Sequence, residues 1–175
     1  KVHLQSSYGA INYNTETYDY VRIGILMYGV NSDNTSYQKN KLDLKPVLSL
    51  KARATSVKEI NKDDSVSYGR TYIADRNRKI ASISIGYADG IPRCLSNKDI
   101  LVKVNGYYAK VIGRICMDQC VIDVTDVKEI KTGDVVYIID SNDINLSSEK
   151  LAIKADTITN ELLSRLGNRL PRIRS

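Results

Sequence analysis

From residue 47 onward, apolar and polar residues mostly alternate. In "VLSLKARATSV" the positions Leu48, Leu50, Ala52 and Ala54 fall on one side, with Ser, Lys, Arg and Thr between them. A period of two is the signature of a half-buried strand. "KIASISIGY" repeats it, with Ile80, Ser82 and Ser84 opposite Ala81, Ile83 and Ile85. "ILVKVNGYYAKVIGRI" sets Asn105-Gly106 between two strand-like runs. Asn-Gly there predicts a tight hairpin, because a type I′ turn needs positive φ at both central residues. "CVIDV" and "DVVYIID" continue the pattern, with Lys131-Thr132-Gly133-Asp134 as a turn before the last run.

Two regions break it. Residues 1–45 hold "VHLQ" and "VRIGILMYGV", short apolar runs separated by polar residues. The second reads as a buried strand ending at Tyr28-Gly29. "NSDNTSYQKNKLDLKP" is a polar connector closing at Pro46. Near the other end, "SSEKLAIKADTITNELLSRL" has helical spacing. Asp156 or Thr157 would cap a last helix with Ile158, Leu162, Leu163 and Leu166 on its apolar side and Gly167 as its stop. The pattern divides the chain at 45/46. An α/β fragment comes first, then a mainly β domain, barrel or sandwich, ending in a short helix.

Composition narrows the class. A chain of 175 residues, 42% hydrophobic and 26% charged, is ordinary for a globular protein. Its net charge of +6 is compatible with an anionic partner. The basic residues are scattered, however, except in the tail "RLGNRLPRIRS", and no nucleic-acid motif accompanies them, so no nucleic-acid partner is expected. Three cysteines, Cys94, Cys116 and Cys120, do not make a disulfide framework and suggest a reducing compartment. On a single strand Cys116 and Cys120 would face one side about 13 Å apart, too far to share a metal. With one His in the chain, no metal site is expected. No apolar run approaches the roughly 20 residues of a membrane-spanning helix, and no signal peptide is visible. The chain opens "KVHLQSSYG" without Met, which predicts a piece of a longer protein.

The chain has 12 Tyr and neither Phe nor Trp, so by composition its tyrosines are packing residues. Specific strings change that reading. "LSLKARATSVKEI", "DSVSYGRTYIAD", "SISIGYADGIPR", "VIGRICMDQCVIDV" and "NRLPRI" occur in order over nearly the whole chain. Together they resemble the C-terminal part of the alanine racemase family, and "HLQSSYGAI" with "YDYVRIGILMYGV" resembles the last strands of that family's barrel. The resemblance implies a pyridoxal 5′-phosphate (PLP) enzyme. Its fold would be a C-terminal β-barrel-like domain, residues 46–175, preceded by the end of a PLP-binding TIM-type barrel, residues 1–45.

The same resemblance assigns roles. Tyr68, in "SYG", becomes a catalytic acid/base on one face of the substrate, opposite the lysine that carries PLP. A racemase needs two such groups, since one removes the Cα proton and the other delivers it from behind. Arg22 would lie against the PLP ring nitrogen and, being always charged, keep it unprotonated. Its place inside an apolar run argues for burial with a partner. Ser7, with help from Ser6, and the N–H groups of Gly24 and Ile25 would hold the phosphate; taken alone, a Ser-Ser pair is usually a turn. The Met117 N–H would bind the substrate carboxylate, with Asp118 orienting its neighbours. Tyr87 would be a gate, and Arg93 and Arg114 would line the entrance corridor. Tyr68, Tyr87 and Met117 would serve the partner's site in a homodimer.

Two departures follow. The family's PLP lysine lies upstream of this chain, so the isolated chain is expected to be inactive. Aligning the C-terminal helix places Asn160 where alanine-specific members carry Tyr; without that alignment Asn160 is a solvated helix residue. A smaller polar side chain there would admit serine beside alanine. That resembles the membrane-anchored serine racemases of vancomycin resistance, enzymes of D-amino acid and cell-wall chemistry. The parent would then be a bacterial protein with its catalytic region in the cytoplasm and its membrane contact through an upstream domain. The alternative is a non-enzymatic basic β-barrel used for dimerisation or for binding an anionic polymer, which has no need of Tyr68, Arg22 and Met117 as a set.

Overall fold

A computed structural model of the chain describes residues 1–13, 18–32, 39–40 and 42–174. The alternating runs form strands β1 (Leu50–Ile60), β4 (Arg78–Ile83), β5 (Leu101–Val104), β6 (Tyr107–Ile112), β7 (Cys120–Asp123) and β8 (Val135–Ile139); two short strands that the pattern does not mark, β2 (Ser65–Val66) and β3 (Tyr72–Ile73), lie between β1 and β4. Six of them close into a barrel in the order β1-β4-β7-β6-β5-β8. Every pairing in it is antiparallel. β1 closes the ring by pairing with β8 over Leu50–Arg53 and with β4 from Ala54 on, its register shifting between Ala54 and Ser56. Such a shift bends a strand, as barrel closure requires. The Asn-Gly hairpin forms as expected, with φ 49° at Asn105 and 83° at Gly106.

The inward residues of these strands make the main core: Leu50, Ala52, Ala81, Ile83, Val102, Val104, Val111, Ile122 and Val136 are all buried there. Ile80, on the opposite side of β4, is also buried. It belongs to a smaller cluster with Ile60, Val66, Ala74 and Ile112, against which Tyr72 and Val121 pack. That cluster seats the β2–β3 hairpin on the outside of the barrel wall. The turn joining β2 to β3 carries Tyr68.

The helical stretch divides in two, α2 (Ser148–Lys154) and α3 (Thr159–Ser164). The reason is local. Asp156 sits at φ 57°, with its N–H on the Ile153 carbonyl and the Thr157 N–H on the Ala152 carbonyl. That is a Schellman stop for α2, so neither Asp156 nor Thr157 caps the following helix. Ile158 takes the N-cap position of α3 with no side-chain cap bond, and its side chain is exposed. Leu162 and Leu166 are buried as expected, whereas the helix ends before Gly167.

In residues 1–30, α1 (Ser7–Asn12) follows an N-terminal segment that pairs with residues 20–22. The two segments run parallel: Ser6 bridges Arg22, the Arg22 N–H donates to the Gln5 carbonyl at 2.9 Å, and the Tyr20 N–H donates to the Val2 carbonyl at 3.3 Å. The expected burial is corrected: Val21, Arg22 and Ile23 are exposed, because among the described residues nothing covers this short pair. Residues Ile25–Tyr28 form a 3₁₀ turn rather than the end of a strand. The single-strand placement of the cysteines is also corrected. Cys116 precedes β7 in a turn, its N–H donating to the Gln119 carbonyl, and only Cys120 lies on the strand. Among the described residues no group of His, Cys, Asp and Glu could hold a metal ion. Among the described residues no helix is long and apolar enough to cross a membrane.

Candidate functional site

Three loops converge at one rim of the barrel. The first is the β2–β3 turn. Ser67 (φ 65°), Gly69 (φ 71°) and Arg70 (φ 49°) are all left-handed, so Tyr68 sits on a tightly wound turn. Non-glycine residues hold such angles only where the surroundings fix them. Tyr68 itself is 74% exposed. The second loop runs from Arg114 to Gln119. A Cβ on Gly69 would stand 2.9 Å from the Arg114 guanidinium, which places that cation against the peptide next to Tyr68. The third loop carries Tyr87 and is hydrogen-bonded to the second, the Tyr87 N–H on the Cys116 carbonyl and the Ala88 N–H on the Met117 carbonyl, each at 3.0 Å. Gly86 permits this approach, since a Cβ there would meet the Cys116 carbonyl oxygen at 2.3 Å.

Met117 is exposed, and its N–H makes no hydrogen bond among the described residues although its carbonyl is engaged. An uncommitted peptide donor beside two tyrosines and a guanidinium is suited to a carboxylate. Arg93, exposed on the turn Arg93–Leu95, is tied to the same rim: the Ser96 hydroxyl donates to the Arg93 carbonyl at 2.6 Å and accepts the Ile115 N–H at 3.0 Å. The structure therefore brings Tyr68, Tyr87, Arg93, Arg114, Met117 and Asp118 to one rim.

The other expected residues form a second group on residues 1–30. Ser7 is buried, and its Oγ accepts the Gly24 N–H at 2.9 Å. Ile25 is buried and its N–H is uncommitted among the described residues. The Gly24 N–H is thus spent on Ser7, and the Ser7 hydroxyl proton and the Ile25 N–H are the uncommitted donors, of the kind a phosphate monoester accepts. Arg22 lies two residues away, exposed rather than buried. Its guanidinium contacts the His3 ring at 3.1 Å, donates to the Leu4 carbonyl at 3.3 Å and also donates to the His3 carbonyl.

Helix α3 and its C-cap pack against Ser32 and the Gly90 turn. The Thr159 N–H donates to the Ser32 carbonyl at 2.8 Å, and a Cβ on Gly90 would stand 2.5 Å from the Arg165 carbonyl oxygen. Asn160 is on the exposed side of this helix. The tail beyond it holds what sequence reasoning missed. Arg169 donates from Nη2 to Asp118 Oδ1 at 2.5 Å, and its Nε lies 3.4 Å from Asp89 Oδ1. The hydrogen bond to Asp118, followed by the charge of Asp89, raises the Arg169 pKa above its ordinary value. Arg172 donates to the carbonyls of Leu166, Gly167 and Leu170. With Arg165 paired to Glu161, three arginines of the basic tail have internal partners. The signal in the sequence was "NRLPRI" itself, read only as a family string. A cavity of about 360 Å³ between the connector and β8, lined in part by Val30, Leu44, Asp140 and Glu149, contains none of the expected residues.

A family model described as alanine racemase, C-terminal domain, matches residues 47–174, and the chain belongs to that family. An alanine racemase of Clostridium perfringens is 44% identical over 170 residues, covering 96% of this chain and 44% of that protein. A protein named amino-acid racemase from Enterococcus faecalis is 43% identical, with 96% of this chain and 23% of that protein covered. A serine/alanine racemase of Enterococcus gallinarum is 39% identical with the same coverages. Among solved structures, the alanine racemase of Bartonella henselae with covalently bound pyridoxal phosphate superposes with a TM-score of 0.87 at 34% identity, over 99% of this chain and 46% of that one. The chain thus spans less than half the length of these relatives.

Proposed function

We propose that this chain is the C-terminal part of a PLP-dependent amino-acid racemase that interconverts the enantiomers of serine and alanine. The observation that carries the reading is the Tyr68 hydroxyl. It is exposed on a left-handed turn, beside the loop with the uncommitted Met117 N–H, in a chain of the alanine racemase family. PLP, the cofactor of this family, delocalises the electron pair left on Cα when a proton is removed.

Each residue then has a task. Arg93 and Arg114 attract the anionic substrate, Met117 binds its carboxylate, and Tyr87 narrows the entrance. Tyr68 takes or delivers the Cα proton at its phenolic oxygen. Arg114 packs against the Gly69 peptide, next to Tyr68. Ser7 and Ile25 would hold the phosphate, with Gly24 joining them if its N–H left Ser7 Oγ, and Arg22 would face the ring nitrogen. In the homodimer the rim group serves the partner's cofactor. The parent protein carries this region on the cytoplasmic side of a membrane anchor.

Serine acceptance rests on the asparagines of the C-terminal segment. Asn160 is the choice from helix alignment. The structure supports Asn168 as a second candidate, because it immediately precedes Arg169, whose side chain reaches the Met117 loop.

Chiral chromatography of the full-length parent tests the reading. Wild type should racemise L-serine and L-alanine, and Tyr68→Phe should lower kcat by about 10²- to 10⁴-fold with unchanged circular dichroism. A Tyr68→Phe enzyme of normal rate would refute the assignment. Asn160→Tyr and Asn168→Tyr should separate the two candidates, the true one lowering the serine/alanine ratio. The isolated chain given PLP and L-serine should produce no D-serine.

A further inference from the structure

We propose that Arg169 is a positioning residue, clamping the Tyr87 and Met117 loops in one register so that the Met117 N–H is held toward the substrate carboxylate. The inference rests on the racemase reading above and deepens it. One guanidinium spans both loops, through Asp118 at 2.5 Å on the Met117 side and Asp89 at 3.4 Å on the Tyr87 side. Asp89 is buried, and its other oxygen accepts the Gly86 N–H at 2.9 Å, so its position is fixed by the loop it serves. The peptide bonds between the loops complete a ring: Ala88 N–H to the Met117 carbonyl, Tyr87 N–H to the Cys116 carbonyl.

With the carbonyl side of this stretch pinned, the orientation of the 116–117 peptide, and hence of the Met117 N–H, follows from the ring. A planar guanidinium can donate to Asp118 from one edge while setting its Nε beside Asp89 as an ion pair; a lysine ammonium is a single point of charge. Arg172 supports the arrangement by binding three carbonyls of residues 166–170, which sets the backbone from which Arg169 reaches out. The two arginines of "NRLPRI" thus divide the work, one folding the tail and the other holding the rim.

The test is steady-state kinetics on the full-length parent, with amide exchange as an independent readout. Arg169→Gln should raise KM for serine and alanine about tenfold to a hundredfold while kcat changes by less than about threefold, because substrate placement is lost and the proton-transfer group is not. Arg169→Lys should recover part of that loss. Amide exchange at Tyr87 and Ala88 should accelerate in Arg169→Gln. Unchanged KM, or a fall in kcat with KM unaltered, overturns the clamp. Should Arg169→Gln not fold, Asp118→Asn must raise KM in the same direction, and its failure to do so overturns the proposal equally. A wild-type parent without racemase activity removes the functional reading and the carboxylate role with it. A racemase whose Arg169 variants behave as wild type removes this inference alone.

Discussion

The paired segments 1–6 and 20–23 and the barrel carry the same kind of sequence and end in opposite states. Val2, Leu4, Val21 and Ile23 alternate along extended backbone as Leu50, Ala52, Ala81 and Ile83 do. Yet Ile23 is 39% exposed and Ile83 and Ile122 are at 0%. The difference lies in closure. Six strands joined edge to edge enclose their inward residues and leave no open edge. Among the described residues, two short parallel segments joined by one bridge have two open edges and two uncovered faces. Burial is therefore a property of a strand's neighbours and not of its pattern.

The comparison can be broken most directly by truncation in the two regions. Ile122→Ala in the barrel should destabilise the fold by about 2–5 kcal/mol in a denaturant titration. Ile23→Ala should cost no more than about 0.5 kcal/mol. Equal costs would mean that residues 1–30 are part of the cooperative core. Next in size is Gly113→Ala, which introduces a Cβ at φ 67° that would stand 2.9 Å from both Ser67 Oγ and the Val66 carbonyl. A loss of about 1–2 kcal/mol is expected from strain and crowding together. Its thermal midpoint should fall while Gly167→Ala, in open space, leaves it nearly unchanged.

A smaller effect separates the regions by pH. Asp75, Asp99, Asp134 and Asp143, all on the barrel side, are held below the usual carboxylate range. For Asp143 the first cause is the Lys103 hydrogen bond and the second is the Tyr108 hydroxyl. Lys103 is raised for the reciprocal reason. A lowered folded pKa gives stability present above the unfolded value, about pH 4, and lost as pH falls through the folded one. The raised Lys103 gives stability present below about pH 10.5 and lost as pH climbs through its folded value. Thermal midpoints should thus be level through neutral pH and decline below about pH 4, and Asp143→Asn should flatten the acid limb. The smallest effect is chemical. Burial pushes the Cys120 thiol up to about 12, so an alkylating reagent at pH 8 should label exposed Cys94 and leave Cys120 unmodified in the folded protein.

Much of the barrel was legible because its signals are local. Alternation along β1 and β4, and the Asn-Gly turn, act within a few residues of themselves. The helical stretch was legible only as helix: left-handed Asp156 divides it, a backbone choice that apolar spacing does not reveal. Ile80 was read as the polar side of its strand and is buried, because the β2–β3 hairpin covers that stretch of wall. Arg22 was read as buried from its apolar neighbours, and those neighbours are themselves exposed. The rim residues Tyr68, Tyr87 and Met117 were found through family strings, not through periodicity. Arg169 was quoted inside such a string and given no role, since its carboxylate partners are far away in the chain.

The sequence by itself determined where the six barrel strands and the Asn105-Gly106 turn fall, because a two-residue repeat and a positive-φ turn are written in adjacent residues. It also determined the family, through strings in fixed order. Only the tertiary structure decided which apolar face is covered and which arginines meet carboxylates. It also placed the Tyr68 turn beside the Met117 loop. Arg169 and Asp118 stand 51 positions apart, and their contact exists only once the barrel has closed and the tail has folded back across its rim.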